Sequence, residues 1–369
     1  MRKWPPEPES DQAVESRSLR ALESEAKRRL DLAVYDYFAG GADDEITARA
    51  NEAAFSRISL IPRVLRGAAE RDLSVTLLGQ RVSMPVVISP TAFHRLAHAD
   101  GECATARAAH AAGTIMIVSM ASTVAIERVA QVSSGNLWFQ IYIQPDLAFT
   151  ESVVRRAEAA GCKALVVTVD SPVFGRRERD LRNGFADLPP GMHCENLREP
   201  ADGNGTSRVR SIVFSPALSW RDVEWLRKTS KLKIVLKGVM HPEDARIALE
   251  CGIDALLVSN HGGRQLDTVA PAIELLPAIA DVTDGRLPLL VDGGIRRGTD
   301  VVKALALGAS AVAIGRPVLW GLATAGFDGV VEVLHTLRSE LDRAIALCGC
   351  SSPRDLSRDL VRCSQLGHP

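Results

Sequence analysis

At 369 residues, 46% of them hydrophobic and 24% charged, the chain has the balance of a soluble globular protein with material for a large core. A formal net charge of −1 excludes the basic field that holds nucleic acid or an anionic membrane surface. The longest apolar runs, such as Ala255–Ser259 and Pro288–Val291, are strand-sized, far short of the roughly 20 residues that cross a bilayer.

Met1–Asp11 is rich in Pro and Glu and lacks the apolar stretch of a signal peptide. The last residues, Leu366-Gly367-His368-Pro369, do not form a peroxisomal address. The expectation is a cytoplasmic protein with a disordered tail over residues 1–17 and one domain over 18–369. The seven cysteines are scattered without disulfide or metal spacing, so reduced thiols and no metal are expected.

From Ser18 to Phe38 the spacing of Leu19, Leu22, Ala26 and Leu30 predicts a helix, stopped by Ala39-Gly40-Gly41. Beyond Arg81, short apolar segments alternate with Ala-rich helical ones. Strands are predicted at Met84–Ser89, Thr114–Val118, Leu137–Tyr142, Ala164–Val169, Lys233–Lys237, Ala255–Ser259, Pro288–Asp292 and Ala311–Gly315. Helices are predicted at Gly101–Ala112, Thr123–Val132, Phe149–Ala160, Pro242–Cys251, Ala270–Val282 and Gly298–Leu307, several followed by a C-capping Gly. Eight strands in this alternation point to an α/β TIM (β/α)8 barrel. The competing doubly wound sheet lacks its G-x-G-x-x-G after the first strand. A long, lid-like insertion, about 182–219, separates strands four and five, and Ser219–Arg227 beyond it reads as helical.

Barrel active sites gather at the C-terminal strand ends. Here those ends carry Pro90-Thr91-Ala92, Ser119, Gln140 with Tyr142, Thr168 with Asp170, Lys237, Ser259 with His261 and Arg264, Asp292-Gly293-Gly294 with Arg296, and Gly315-Arg316. A packing-only barrel has no reason to place these groups on one rim. His261 suits a general base, Asp170 an orienting carboxylate, and Arg264 a two-pronged carboxylate clamp. Lys237 is open to three readings: a carboxylate partner, a Schiff base or an anion stabiliser. The glycines and arginines after strands seven and eight suit a phosphate.

The run Ser259-Asn260-His261-Gly262-Gly263-Arg264-Gln265-Leu266-Asp267 resembles the signature of the FMN-dependent 2-hydroxy acid oxidase and dehydrogenase family. The resemblance extends from Val34-Tyr35-Asp36-Tyr37 to about Leu356, through Pro90-Thr91-Ala92, Phe139-Gln140-Ile141-Tyr142, Leu236-Lys237-Gly238 and Asp292-Gly293-Gly294-Ile295-Arg296. It implies FMN as cofactor and oxidation of an L-2-hydroxy acid to the 2-oxo acid. By this likeness His261 is the base, Asp170 supports its imidazolium, and Lys237 stabilises charge at the flavin edge. Arg264, Tyr37 and Arg177 take the substrate carboxylate, and Tyr142 its hydroxyl. Pro90, Thr91, Ala92, Ser119, Gln140, Thr168 and Ser259 line the flavin. Asp292, Gly293, Gly294, Arg296, Gly315 and Arg316 hold the ribityl chain and phosphate. Family members that are tetramers imply a homotetramer.

One departure bears on substrate. Where glycolate-oxidising relatives carry Trp, this chain has Ala121. The small residue leaves room for a bulky, mandelate-like acid lined by Phe93 and Phe174, unless Met120 or the insertion refills the space. The polar insertion and the absence of a haem-binding segment favour oxygen as acceptor. The alternatives are a soluble dehydrogenase with another acceptor or a small substrate, an aldolase-type barrel using Lys237, and a non-catalytic flavin binder.

Overall fold

The computed structural model describes residues 17–133, 135–199 and 207–363. Eight parallel strands close into a barrel: β1 (Val86–Ile88), β2 (Met116–Ser119), β3 (Leu137–Ile141), β4 (Ala164–Thr168), β5 (Lys233–Lys237), β6 (Ala255–Val258), β7 (Leu289–Asp292) and β8 (Ala311–Ile314). They pair in chain order, and β8 returns to β1 through Val312–Val86 and Ile314–Ile88. The TIM barrel read from the strand pattern is therefore present, and the open-sheet alternative is not.

Side chains alternate across each strand, so one set faces the barrel interior and the next faces the surrounding helices. Val87, Ile117, Trp138, Val166, Val235, Leu257, Leu290 and Ala313 pack together inside. Val86, Val118, Phe139, Val167, Leu236, Val258, Val291 and Ile314 join the larger helix-facing core. Burial on both faces explains the unbroken apolar runs. A short hairpin, Val75–Leu77 with Gln80–Val82, plugs the N-terminal mouth: Leu77 and Val82 pack on the interior set, and Trp138 Nε1 donates to Gln80 Oε1 at 2.6 Å.

One expectation about helices needs correction, and one helix was not foreseen. The segment Ser18–Phe38 is two helices, Leu19–Arg29 and Leu32–Ala39, because Leu30 is extended and Asp31 caps the second through Ala33 N. Each helix thereby meets its own surface, with Leu19, Leu22 and Ala26 buried in the first and Tyr35 and Phe38 in the second. The longest helix, Arg316–Leu347, follows β8 and is not among those named from the sequence. By length and hydropathy it passes for a membrane span, but two-thirds (67%) of its apolar stretch is buried in the protein. It packs on Gly101–Ala111 and Leu19–Arg29, and a break at Ala325-Gly326 divides it.

The tail expected over 1–17 lies outside the described residues apart from Arg17, which already pairs with Glu332 at 2.6 Å. The insertion after β4 begins with a short helix, Glu178–Arg182, and ends in Trp220–Thr229, whose N-terminus carries the Ser219/Asp222 capping box. Asn196, fully buried, ties the insertion to the barrel by donating to Ser119 O and accepting from Ile126 N.

Candidate active site

The inward row of each strand is apolar up to its C-terminal end, where the next inward position turns polar: Ser89, Ser119, Gln140, Thr168, Lys237, Ser259, Asp292, with Gly315 closing the ring. These side chains bond to one another. Ser119 Oγ donates to Gln140 Oε1 at 3.1 Å, and Gln140 Nε2 donates to Thr168 Oγ1 at 2.9 Å. Lys237 Nζ donates to Ser259 Oγ at 3.1 Å and stands 4.0 Å from Asp292 Oδ2, which accepts from Ser89 Oγ at 3.2 Å. The ring is a hydrogen-bonded polar floor on an apolar barrel, with one carboxylate oxygen of Asp292 left unpartnered.

Above it opens a cavity of about 1000 Å³, in which Tyr37, Pro90, Thr91, Ala92, Phe93, Ala121, Tyr142, Phe174, Arg177, His261, Arg264, Gly293, Gly294, Arg296 and Arg316 also take part. Two expected site residues stand outside it. Ser259 is fully buried behind the wall, where its hydroxyl accepts from both Lys237 Nζ and His261 N; it props the site rather than lining it. Asp170 lies behind His261, with Asp170 Oδ1 2.8 Å from His261 Nδ1. Gly238, at φ +107, makes room for it: a Cβ there would come within 2.6 Å of Asp170 Cβ.

His261 sits on a strained turn. His261 (φ +57), Gly262 (φ +63) and Gly263 (φ +74) form three consecutive left-handed residues, a conformation that costs a non-glycine residue of order 1 kcal/mol. Long-range contacts hold the turn. Asn260 and Asn51 exchange amide hydrogen bonds at 2.8 and 2.9 Å, and Gly263 packs so closely on Ala48 that no side chain fits. Asp267, at the end of the signature run, caps the helix Ile46–Ser56 from outside by accepting from Ile46 N (3.1 Å) and Thr47 N (2.8 Å).

Burial pushes the His261 imidazole below its ordinary range against the pull of Asp170, so it is neutral at neutral pH. Burial alone would push Asp170 up, but His261, Lys237 and the hydrogen bonds from His261 and Ser171 outweigh it and hold the carboxyl at about 2. With Nδ1 engaged by a carboxylate, His261 presents Nε2 to the cavity as an acceptor. Burial raises the Tyr142 phenol well above its ordinary range, so it remains a hydroxyl donor.

At one end the cavity is lined by arginines short of counter-charge. Arg264 Nη1 donates to Tyr37 O and Gly40 O, both at 2.7 Å, leaving the rest of its guanidinium over the Tyr37 ring. Burial, and then Arg177 nearby, push Arg264 down from its usual range. Arg177 lies 4.2 Å over Phe174, with its buried Nε unpartnered. Arg316 is committed to the backbone, bonding Phe38 O, Gly40 O and Gly262 O.

At the ends of β7 and β8 the chain offers backbone in place of side chains. Gly293 (φ +92) and Gly294 (φ +86) bend away, and a Cβ on Gly294 would strike Asn51 O at 2.0 Å. Asp292 Oδ1 and Arg296 Nε are buried without partners, and the long helix starts at Arg316 with no side-chain cap on its N-terminus. Residues 26–363 match the FMN-dependent dehydrogenase family.

The chain belongs to the FMN-dependent dehydrogenase family.

The relatives agree. An L-lactate oxidase of Nostoc sp. is 48% identical over 356 residues, 93% of this chain and 97% of that protein. The 2-hydroxyacid oxidase 1 of Homo sapiens is 46% identical over 351 residues, 92% of this chain and 95% of that one. A crystal structure of mandelate oxidase with benzoyl-formic acid superposes with a TM-score of 0.86 at 42% identity, covering 94% of this chain and 97% of that one. The chain is thus an oxidoreductase of the FMN-dependent 2-hydroxy acid oxidase kind, and FMN is its cofactor. The residues fit this cofactor. An orphaned acceptor on Asp292 suits a ribityl hydroxyl, while the Arg296 guanidinium and the open helix start suit a phosphate. Membership also removes the aldolase reading of Lys237, whose ammonium is bonded to Ser259 and faces Asp292.

Three contributors escape sequence reasoning. Phe185 and Phe214, both from the insertion, complete an aromatic wall. Phe185 packs 4.8 Å from the Tyr37 ring, and Phe214 packs 5.2 Å from Tyr142 and 5.6 Å from Phe174. Asp180 enters beside the arginines. The visible signal was aromatic residues flanking a Gly/Asn-rich stretch, but nothing in the spacing tells that both flanks fold over one cavity.

Proposed function

We propose that this FMN enzyme oxidises a bulky (S)-2-hydroxy acid, aromatic at the 2-position, to the 2-oxo acid, with oxygen as acceptor and hydrogen peroxide as the second product. The observation that carries the substrate reading is the space at Ala121. Its side chain meets the cavity, whereas Met120 is fully buried away from it and does not refill the gap. Aromatic rings border that space: Phe93 stacks 5.3 Å from Tyr37, and Phe174 and Phe214 stand on the insertion side. The insertion adds Leu188, Pro189 and Met192 to the lining of the cavity. The crystallised mandelate oxidase similar to this chain binds benzoyl-formic acid, an aromatic 2-oxo acid.

Bound FMN supplies the two-electron acceptor. The chain's own residues do the rest. Arg264 and Arg177 clamp the substrate carboxylate, fixing the 2-carbon against the cofactor face. Tyr142 meets the substrate hydroxyl. His261 Nε2 takes a proton as the substrate is oxidised, and Asp170 compensates the imidazolium that forms. Lys237, held by Ser259, places positive charge where negative charge develops on oxidation. The aromatic wall lowers the polarity of the cavity around these groups. A cytoplasmic homotetramer remains the working assembly.

Comparing initial oxygen-consumption rates with (S)-mandelate and with glycolate tests the reading. A clear mandelate preference is expected; a clear glycolate preference overturns the bulky-substrate assignment and leaves the family membership intact.

A further inference from the structure

The two arginines that await an anion do not stand alone. Asp180, in the short helix Glu178–Arg182, also meets the cavity, and its carboxylate lies 3.9 Å from Arg177 Nη1. That is too long for a hydrogen bond but close enough for strong attraction. Asp180 and Arg177 are only 12% and 8% exposed, so solvent screens them weakly. Among the described residues no side chain is hydrogen-bonded to the Asp180 carboxylate, whereas Arg179 of the same helix donates to both Asp36 and Glu45. A carboxylate fixed for structure alone would be satisfied; this one is left facing two guanidiniums, one of which has an orphaned buried Nε.

We propose that Asp180 is a specificity-determining residue, a built-in counter-charge that leaves the arginine pocket matched to a single substrate carboxylate. The inference rests on the reading that Arg177 and Arg264 bind that carboxylate. Two guanidiniums and one carboxylate leave one net positive charge. A monocarboxylic hydroxy acid neutralises it, and a dicarboxylic acid overfills it. The groups facing Asp180 are Arg177 on its own segment, Arg264 after β6, and Asp36 and Tyr37 on the helix Leu32–Ala39. Burial raises the Asp180 carboxyl above its ordinary range, opposed by Arg264 and Arg177 and reinforced by Asp36. Lowering the pH therefore protonates Asp180 and frees the arginines for the incoming anion.

The test uses the FMN-loaded protein and follows the shift of the flavin visible spectrum as ligands bind. The probes are benzoylformate, its neutral amide and the dianion 2-oxoglutarate, titrated into the native protein, Asp180→Asn and Glu178→Gln. Glu178→Gln removes a charge from the same helix without touching the cavity. In Asp180→Asn, benzoylformate is expected to bind about tenfold tighter, 2-oxoglutarate to gain more, and the amide to stay unchanged. In the native protein benzoylformate binding is expected to tighten as the pH falls. Protonation of His261 contributes to that slope in both proteins, so the part lost in Asp180→Asn belongs to Asp180. Glu178→Gln stays within about twofold of native. Benzoylformate binding within twofold of native in Asp180→Asn, equal tightening of the amide, or a pH slope as steep in Asp180→Asn as in the native protein overturns the proposal. Native protein that binds the amide as tightly as benzoylformate overturns the carboxylate clamp itself.

Discussion

Replacing Asp170 with Asn isolates what its charge does for the base. The amide is nearly isosteric, and its oxygen can still accept from His261 Nδ1 across the 2.8 Å contact, so ring orientation and tautomer survive. What disappears is a carboxylate held at about 2 and hence fully charged at neutral pH. When His261 takes a proton, that carboxylate and the imidazolium form an ion pair with centres about 4 Å apart, worth ~4 kcal/mol at an effective dielectric of about 20. Both side chains retain some contact with the cavity, 18% for His261 and 13% for Asp170, which trims the figure to ~3 kcal/mol. The flavin reduction rate in anaerobic stopped-flow mixing should therefore fall about a hundredfold. Because the ion pair exists only once the proton has moved, the dissociation constant for the 2-oxo acid should change by less than about threefold. A rate within tenfold of native, or a loss appearing wholly in binding, would refute the reasoning.

Three further outcomes are expected. Ala121→Trp should fill the space beside Phe93 and lower the rate with (S)-mandelate by about a hundredfold while leaving glycolate within about tenfold; initial rates with both acids check it. The pH profile of kcat/KM should lose activity on its acid side below the ordinary His range near 6.5, because burial depresses His261 and the neutral form is the base. In Asp170→Asn that limb should move lower still, since Asp170 pulls the His261 value up; a limb that moves upward contradicts the assignment. Asp267→Ala removes the carboxylate that caps Ile46–Ser56, and denaturant unfolding should show a loss of ~2 kcal/mol. Hydrogen bonds from Thr47, Ile46 and Thr268 hold the Asp267 carboxyl low despite burial. Its contribution is therefore complete above the ordinary carboxylate range and fades as pH falls through the depressed value.

The barrel and most of its rim were legible because the physics that writes them is local. A strand buried on both faces must be apolar at every position, and the period of two makes the first inward polar residue conspicuous; Ser119, Gln140, Thr168, Lys237 and Asp292 all fall on that register. Ser89 does too, and the same rule finds it, although it earned no separate role from sequence. Ser259 shares the register but lies behind the wall, because its hydroxyl is drawn to Lys237 Nζ. What the sequence hid is non-local. The cap of Ile46–Ser56 comes from Asp267, some 220 residues away (|i−j| = 221 and 220), so no local signal announces that helix. The long helix Arg316–Leu347 is buried on several sides, which erases the periodicity that betrays an amphipathic one. The break at Leu30-Asp31 was marked only by one Asp in an otherwise helical pattern. Phe185, Phe214 and Asp180 reach the site through the fold of the insertion, which spacing does not encode.

If His261, Asp170, Arg264 and Lys237 play the proposed roles, a 2-hydroxy acid passes two electrons to bound FMN while His261 takes a proton. Anaerobic mixing of the purified protein with (S)-mandelate, following the flavin's visible absorbance, tests it most directly. Rapid bleaching, with colour and an equivalent of hydrogen peroxide appearing when air is admitted, is the predicted result. Bound FMN that stays oxidised with mandelate, lactate and glycolate alike would contradict the account.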